Sequence, residues 1–494
     1  MREESSLKKK TVAGFFWSMS DLIACHGIQF IIQIVLARIL LPKDFGIIGM
    51  ITVFIAVSQS FVDSGFTTAL IREKDPSQED YSTAFYFNLV MAFVMYIILF
   101  FSAGAISSFF NEPQLTAILR VLALVLIISS FGLIQRVMLT KNINFKTQTK
   151  INVISSIVSG IIAIIFACTG FGVWSLVVRT LAMQLVQSVL LCRYNGWMPS
   201  LVFSISSFKR FFGFGWKLLA SGLMDTLYNN LYYLIIGKAF SATDLGYYSN
   251  AQKARDTASQ SLSTSVQKVA YPVLSSIKED ESRLREGYRK IIKTSVYISF
   301  PLMIGLASAA NPLIRLIFGA KWINSIGYFQ VLCFSGMLYP LHAVNLNILK
   351  VKGRSDLFLG LEIAKKAVGL VFIAIVMYFK LGIMGLVWAS VINSHVSYFL
   401  NSHYSAELLD YSTFEQIKDV APSYIVAVIM GLAVYLSGEV LPVSNLVKLF
   451  LQVIMGAAMY AGMSKIAGIK EMDTVYELLN SILKKAKLKS AEIN

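Results

Sequence analysis

Apolar runs long enough to cross a membrane recur along the whole chain, separated by short polar connections. A helix of about 20 residues spans the hydrocarbon core of a bilayer. Only 15% of the residues are charged, whereas about 25% are charged in a typical soluble domain. The sequence therefore predicts an all-α integral membrane protein with many helices.

The apolar runs mark about fourteen predicted transmembrane helices, arranged as two six-helix lobes followed by two further helices. The predicted domains are an N-terminal lobe over residues 1–210, a C-terminal lobe over 211–405, helices 13 and 14 over 406–467, and a basic amphipathic cytoplasmic tail over 468–494. The predicted spans are Val12–Leu40, Phe45–Ile71, Ala84–Ser107, Leu115–Leu139, Ile151–Cys168, Val173–Cys192, Phe212–Lys238, Leu245–Ile277, Ile291–Ile317, Gly327–Leu349, Leu357–Tyr378, Ile383–His403, Val420–Ser437 and Leu446–Ile466.

The stretch Gly246–Ser276 is long enough to span a membrane but is much more polar than the other runs. It carries Lys253, Arg255 and Asp256, and a charge at bilayer depth costs about 2.5–3.5 kcal/mol on insertion scales. Two interpretations follow. The stretch is either a solvated helix in a loop between spans or a helix that crosses the membrane beside a water-filled interior.

The distribution of basic residues favours a crossing. Lysine and arginine concentrate in alternate connections, such as residues 141–150 and 278–290, and the intervening connections contain few of them. The positive-inside rule places the basic set, together with both termini, in the cytoplasm. The alternation stays in phase only if Gly246–Ser276 crosses. The net charge of +16 is concentrated in these short connections, where basic residues set the topology and contact anionic lipid headgroups. We therefore expect no nucleic-acid partner.

The segment Leu36–Gly46 (LARILLPKDFG) resembles Ile236–Gly246 (IGKAFSATDLG), which indicates an internal repeat. The shared D-[FL]-G motif places Asp44 and Asp244 where a carboxylate can cap the next helix, and its glycine permits close packing. Because each half holds an even number of helices, the repeats are predicted to be parallel. Transporters built in this way bind substrate between two halves and rock between two states. We assign the motif residues a structural role.

Charged and amide side chains fall within several predicted spans, and basic groups exceed acidic ones. A cationic interior favours an anionic ligand such as a phosphate or pyrophosphate group. The open alternative is that these groups pair with each other and stabilise the bundle, as helical spacing allows for Glu362 with either Lys365 or Lys366. The candidate substrate-binding residues are Arg255, Lys253, Lys365, Arg179, Lys366, Asn229, Gln29 and Gln33, and the candidates for ion coupling are Asp21, Asp225 and Glu362.

Motifs that would indicate covalent chemistry are absent from the sequence. It contains no GxxxxGK[ST] phosphate loop, no GxSxG and no HExxH. The cysteines and histidines lack metal-ligand spacing, so we expect no metal and no cofactor beyond a coupling proton or sodium ion. No large outer loop is present to hold a glycan, which disfavours a polymerase or ligase. A transporter without covalent chemistry is the predicted class.

Several segments resemble one family of membrane proteins. They are similar to the polysaccharide flippases of the Wzx type, nearest to the colanic-acid branch, in the superfamily that includes MATE drug antiporters and lipid II flippases. The resemblance covers nearly the whole chain and implies fourteen helices in two six-helix lobes that form a V around a cationic central cavity. The segments are QFIIQIVLARILLPKDFGIIGM, FVDSGFTTALIREKD, LRVLALVLIISSFGLIQRVMLTKNINF, YPVLSSI, PLIRLIFGAKW and LKVKGRSDLF.

The resemblance implies translocation of an undecaprenyl-pyrophosphate-linked oligosaccharide from the cytoplasmic to the periplasmic leaflet of a bacterial inner membrane. Such a flippase serves exopolysaccharide, capsule or O-antigen synthesis. We expect the lipid-linked oligosaccharide and membrane lipids as partners, together with a polysaccharide polymerase and chain-length machinery. A lipid II flippase and a cation-coupled exporter of small molecules of the MATE type are the alternatives, and the exporter predicts a cavity dominated by carboxylates.

Overall fold

The structure, a computed structural model of the chain, describes residues 25, 27–477 and 480. In these residues the backbone forms helices joined by short connections, with no strand, so the predicted all-α class is confirmed. The first described helix, α1, is Gly27–Ile39. The helices that follow are α2 (Pro42–Asp63), α3 (Phe66–Arg72), α4 (Gln78–Phe110), α5 (Leu115–Leu122), α6 (Leu124–Lys141), α7 (Phe145–Cys168), α8 (Trp174–Asn195), α9 (Ile205–Ala239), α10 (Ala242–Ser276), α11 (Glu281–Ser308), α12 (Ala310–Ile317), α13 (Ser325–Gly336), α14 (Tyr339–Val351), α15 (Ser355–Tyr378), α16 (Gly382–Leu409), α17 (Thr413–Val440) and α18 (Asn445–Ile466).

Ten candidate membrane spans are present in the described part of the chain, each formed by one helix or by two consecutive helices. The other predicted spans fall on α1, α9, α10 and α15, which are helical but shorter or richer in polar side chains. Residues 1–24, which include the start of the first predicted span, lie outside the described residues. The count of fourteen and the division into six-helix lobes stay predictions.

Several predicted spans consist of two helices rather than one, and the break between α2 and α3 shows why. Ser64 and Gly65 at this break both have positive φ, of 46° and 72°. This left-handed conformation ends a helix, and glycine adopts it without strain from a Cβ atom. Gly65 also approaches α9 so closely that an added Cβ would lie 2.6 Å from the Gly215 carbonyl oxygen.

Residues up to Ser249 form one compact unit. Within it, α2 packs against α4 and α9, and α8 packs against α6 and α7. Phe66 of α3 is fully buried, stacks on Phe87 of α4 at a ring-centre distance of 4.5 Å, and contacts Phe211 of α9. These aromatic rings form the core at which α3, α4 and α9 meet.

Residues from Asn250 onward form a second compact unit, and the division between the units falls within α10. Here α11 packs against α17, α16 packs against α13, α14 and α15, and α18 packs against α17. In the described part of the predicted tail, Glu471 pairs with Lys293 of α11 at 2.8 Å, and the tail residues 478–479 and 481–494 lie outside the described residues. The predicted domain boundaries stay predictions.

The two copies of the D-[FL]-G motif meet where α2 and α10 begin. An added Cβ at Gly46 would lie 1.6 Å from the Ala242 carbonyl oxygen, and one at Gly246 would lie 1.9 Å from the Pro42 carbonyl oxygen. Equivalent residues of the two copies therefore exchange contacts. The predicted close packing at both glycines is confirmed.

Both motif aspartates stabilise the first turn of a helix. Asp44 accepts a hydrogen bond from the Leu41 N–H at 2.9 Å. Asp244 accepts a hydrogen bond from the Ser241 hydroxyl at 2.6 Å and donates its own N–H to Ser241 Oγ at 3.1 Å. These bonds satisfy polar groups that a helix start leaves without intrahelical partners. The predicted structural role of the two carboxylates is confirmed.

Candidate functional site

Arg255 of α10 occupies a closely fitting site on α13 and α14. Only 4% of its surface is exposed, and its Nη1 donates a hydrogen bond to Ser335 Oγ at 2.7 Å. The guanidinium lies 5.1 Å from the centre of the Tyr339 ring, a cation–π distance. Gly336 provides the space for this side chain, because an added Cβ there would lie 2.8 Å from Arg255 Cδ. The side chain is therefore held by packing as well as by charge.

Arg255 also forms an ion pair with the next residue. Its Nε lies 2.8 Å from Oδ1 of Asp256, which is itself partly buried. A buried charge needs such a partner, because desolvation disfavours an isolated ion. The contact supports the alternative that this pair stabilises the bundle, and anion binding by Arg255 stays a prediction. Lys253, two residues earlier on the same helix, is exposed.

A second ion pair joins two predicted site residues on α15. Lys365 Nζ lies 2.5 Å from Glu362 Oε1, one helical turn away. The side chains are 12% and 28% exposed, so the pair is shielded from bulk water. The pairing expected from the spacing is confirmed, and an anion bound at Lys365 would compete with Glu362. Lys366 is partly buried beside them.

The predicted residues of the first unit lie on three helices. Arg179 on α8 is partly buried, and no hydrogen bond or ion pair reaches it from the described part of the chain. Gln29 and Gln33 are partly buried on α1, one turn apart. Asp225 and Asn229 are exposed on α9, also one turn apart.

Two ion pairs in the described ranges involve predicted site residues: Arg255 with Asp256, and Lys365 with Glu362. The proposed coupling residue Asp21 lies outside the described residues. The remaining assignments of substrate-binding and ion-coupling roles stay predictions.

A buried polar network in the second unit includes residues that were not predicted from the sequence. His342 Nε2 of α14 lies 3.0 Å from Ser394 Oγ, and its Nδ1 lies 3.3 Å from Asn401 Nδ2. Ser394 Oγ lies 3.5 Å from the carbonyl oxygen of Ser335, whose hydroxyl accepts the hydrogen bond from Arg255. A sequence signal existed, because Ser394 and Asn401 are two turns apart and share a face of α16.

The first unit contains a cavity of 470 Å³ between α2, α6 and α8. Its wall is mostly apolar, with polar groups from Gln59, Ser129, Gln184 and Arg136. Ser129 Oγ donates a hydrogen bond to Gln59 Oε1 at 3.2 Å. A cavity with this lining can hold an apolar group and orient one polar group.

Candidate spans that bury charged and amide side chains define a multi-pass helical membrane protein. Over residues 35–327 the chain matches the protein family described as Polysaccharide biosynthesis protein. The match covers more than half of the chain, and the chain therefore belongs to this family.

Two bacterial relatives and one solved structure extend the match. The chain is 28% identical to the teichuronic acid biosynthesis protein TuaB of Bacillus subtilis (strain 168), over 71% of this chain and 73% of that protein. It is 27% identical to the lipopolysaccharide biosynthesis protein WzxC of Escherichia coli (strain K12), over 80% and 81% respectively. The lipid II flippase MurJ, in its inward closed conformation, superposes with a TM-score of 0.74 at 15% identity, covering 92% of this chain and 98% of that one. The resemblance to polysaccharide flippases is confirmed, and MurJ shares the fold.

Proposed function

We propose that the protein translocates an undecaprenyl-pyrophosphate-linked oligosaccharide repeat unit from the cytoplasmic to the periplasmic leaflet of a bacterial inner membrane. The product serves exopolysaccharide, capsule or O-antigen synthesis. Family membership supports this proposal, as do relatives named for lipopolysaccharide and teichuronic acid biosynthesis and a fold shared with a lipid II flippase. The observation that carries it is the presence of buried or partly buried cations, Arg255, Lys365 and Arg179, within long helices.

Translocation proceeds by alternating access and breaks no covalent bond. The diphosphate and the sugars pass through a cationic central cavity, and the lipid tail stays in the bilayer. Basic side chains replace the water that the diphosphate loses, since charged hydrogen bonds to phosphate are strong in a low-dielectric setting. A proton or sodium ion couples through Asp21, Asp225 or Glu362. The protein works beside a polysaccharide polymerase and chain-length machinery, with both termini in the cytoplasm.

The test uses a host whose own copy of the gene is deleted and whose surface polysaccharide is measured. Because Arg255 is paired with Asp256, the variant Lys253→Gln/Arg255→Gln/Asp256→Asn removes the two cations without stranding a buried carboxylate. We expect loss of surface polysaccharide at a normal protein level in the membrane. Lys290→Gln, an exposed lysine on α11, is the matched control and should retain synthesis. Normal polysaccharide in the triple variant would exclude these cations from the mechanism.

Flipping of lipid II is the second candidate, and the similarity to MurJ favours it. Both substrates carry a lipid diphosphate, so the cationic groups do not separate them. Reconstitution in liposomes with each labelled substrate would do so. Faster movement of lipid II than of the oligosaccharide substrate would reverse our assignment. A cation-coupled exporter of small molecules of the MATE type is the weaker alternative, because it predicts a cavity dominated by carboxylates, and the buried and partly buried groups described above are mainly basic.

A further inference from the structure

A second cavity, of 320 Å³, lies in the second unit between the last third of α10 and the end of α14. Helical spacing brings its α10 residues onto one face, since Thr264 is followed by lining residues three, four and seven positions later. On α14 the two contributing residues are three apart, again on one face. The lining residues are Thr264, Gln267, Lys268, Tyr271, Asn347 and Lys350.

The chemistry of this lining is that of an anion site. Two residues are lysines, the other four carry neutral hydrogen-bond donors, and no lining residue has a carboxylate. Lys350 Nζ lies 5.0 Å from the centre of the Phe358 ring, and no carboxylate of the described residues pairs with it. Its charge is therefore available for an anion that enters the cavity.

Asn347 supplies the second, independent observation. The residue is only 5% exposed, and its Nδ2 donor has no hydrogen-bond partner in the described structure. A buried amide donor without a partner is unfavourable, so such groups are uncommon unless a ligand or water satisfies them. Rotation of the Asn347 side chain, which lines the cavity, would offer this donor to an oxygen-rich anion held by Lys268 and Lys350.

We propose that this cavity binds the diphosphate group of the lipid-linked substrate when the substrate first reaches the protein from the cytoplasm. The proposal rests on the proposed function and deepens it. Lysine ammonium groups bind phosphate as point charges, and the neutral donors fix the orientation of the oxygens. In the proposed topology α10 and α14 both end at the cytoplasmic face. Arg255 lies 13 residues earlier on α10 than Lys268, about 20 Å deeper along the helix. A substrate that enters from the cytoplasm would therefore reach the cavity before it reaches Arg255.

The binding test uses the purified full chain in detergent and inorganic pyrophosphate as the probe, measured by titration calorimetry. We expect the affinity for pyrophosphate to fall at least tenfold in Lys268→Gln/Lys350→Gln and to stay unchanged in the control Lys290→Gln. The variant Lys268→Arg/Lys350→Arg keeps the charges and should retain binding. This arginine variant shows that the lysine positions tolerate substitution. Unchanged affinity in the double glutamine variant would overturn the proposal.

A membrane phospholipid headgroup offers similar chemistry, so a second arm separates the two sources. Inorganic phosphate and vesicles of phosphatidylglycerol compete against pyrophosphate at the wild-type protein. We expect pyrophosphate to bind at least tenfold more tightly than phosphate and phosphatidylglycerol not to displace it. Equal affinity for the two anions, with displacement by phosphatidylglycerol, would overturn the assignment in favour of a phospholipid site.

Failure of this proposal is distinguishable from failure of the proposed function. Loss of pyrophosphate binding together with loss of surface polysaccharide, at a normal protein level, supports the cavity as the first substrate site. Loss of binding with normal polysaccharide overturns that role and leaves the flippase assignment standing. A wild-type protein that binds pyrophosphate through these lysines but moves no lipid-linked saccharide in liposomes would overturn the proposed function and not the anion site.

Discussion

At the scale of single residues, Gly46 and Gly246 leave no room for a side chain. A Cβ at Gly46 would lie 1.6 Å from the Ala242 carbonyl oxygen, an overlap that only movement of the backbone can relieve. We expect Gly46→Ala to destabilise the protein by about 1–3 kcal/mol, the usual cost of overpacking. Melting temperatures of the detergent-solubilised protein measure the effect. Gly104→Ala is the control, because open space surrounds Gly104 on α4, and an equal loss there would contradict the packing explanation.

The pair of Arg255 and Asp256 makes a second prediction at this scale. Removing one partner of a buried ion pair costs about 3–5 kcal/mol, because the other charge remains without compensation. We therefore expect Arg255→Gln to lower the melting temperature strongly and Arg255→Gln/Asp256→Asn to recover much of the loss. Melting curves of the wild type, both single variants and the double variant form a complete cycle. If the double variant loses as much as the single losses combined, the two side chains are not coupled.

At the scale of helices, Asp419 connects α11 to α17. Arg289 Nη2 of α11 lies 2.7 Å from Asp419 Oδ1, and the Tyr411 hydroxyl donates to Asp419 Oδ2 at 2.6 Å. Hydrogen bonds to a charged group contribute about 1.5–3 kcal/mol each when shielded, and the half-exposed Arg289 should contribute less. We expect Asp419→Asn to lower the melting temperature by several degrees. The neighbouring exposed Lys418→Gln should leave it unchanged, and a similar shift in both variants would contradict the assignment.

The positions of the helices were predictable, but their partners were not. Apolar runs are a local signal that marked most of the helices, and the alternation of basic and non-basic connections marked the polar α10. The break at Ser64 and Gly65 had a turn-forming dipeptide, so a closer examination of the sequence could have found it. Contacts such as Arg255 with Ser335, or His342 with Asn401, join positions far apart in the chain. These contacts depend on which helices pack together, and the sequence of a single protein does not reveal which helices are neighbours.

At the scale of the whole molecule, the proposed topology depends on whether α10 crosses the membrane. The helix is continuous from Ala242 to Ser276, yet it is too polar to be among the ten candidate spans of the described chain. Its buried face explains how a polar helix can sit at membrane depth, since Arg255 has its partners within the protein. If α10 crosses, the connections at its two ends lie on opposite sides of the membrane.

Labelling of substituted cysteines tests this crossing directly. Phe240→Cys and Glu279→Cys place a thiol just outside either end of α10, both at exposed positions. We expect a membrane-impermeant maleimide to label Phe240→Cys in intact spheroplasts and Glu279→Cys only after permeabilisation. Both variants are made in a background from which the four native cysteines have been removed by substitution. They are Cys25, Cys168, Cys192 and Cys333. Labelling of both from one side would place α10 in a loop and contradict the proposed topology, and labelling of both in intact spheroplasts would also place the cavity at Lys268 and Lys350 outside the cytoplasm.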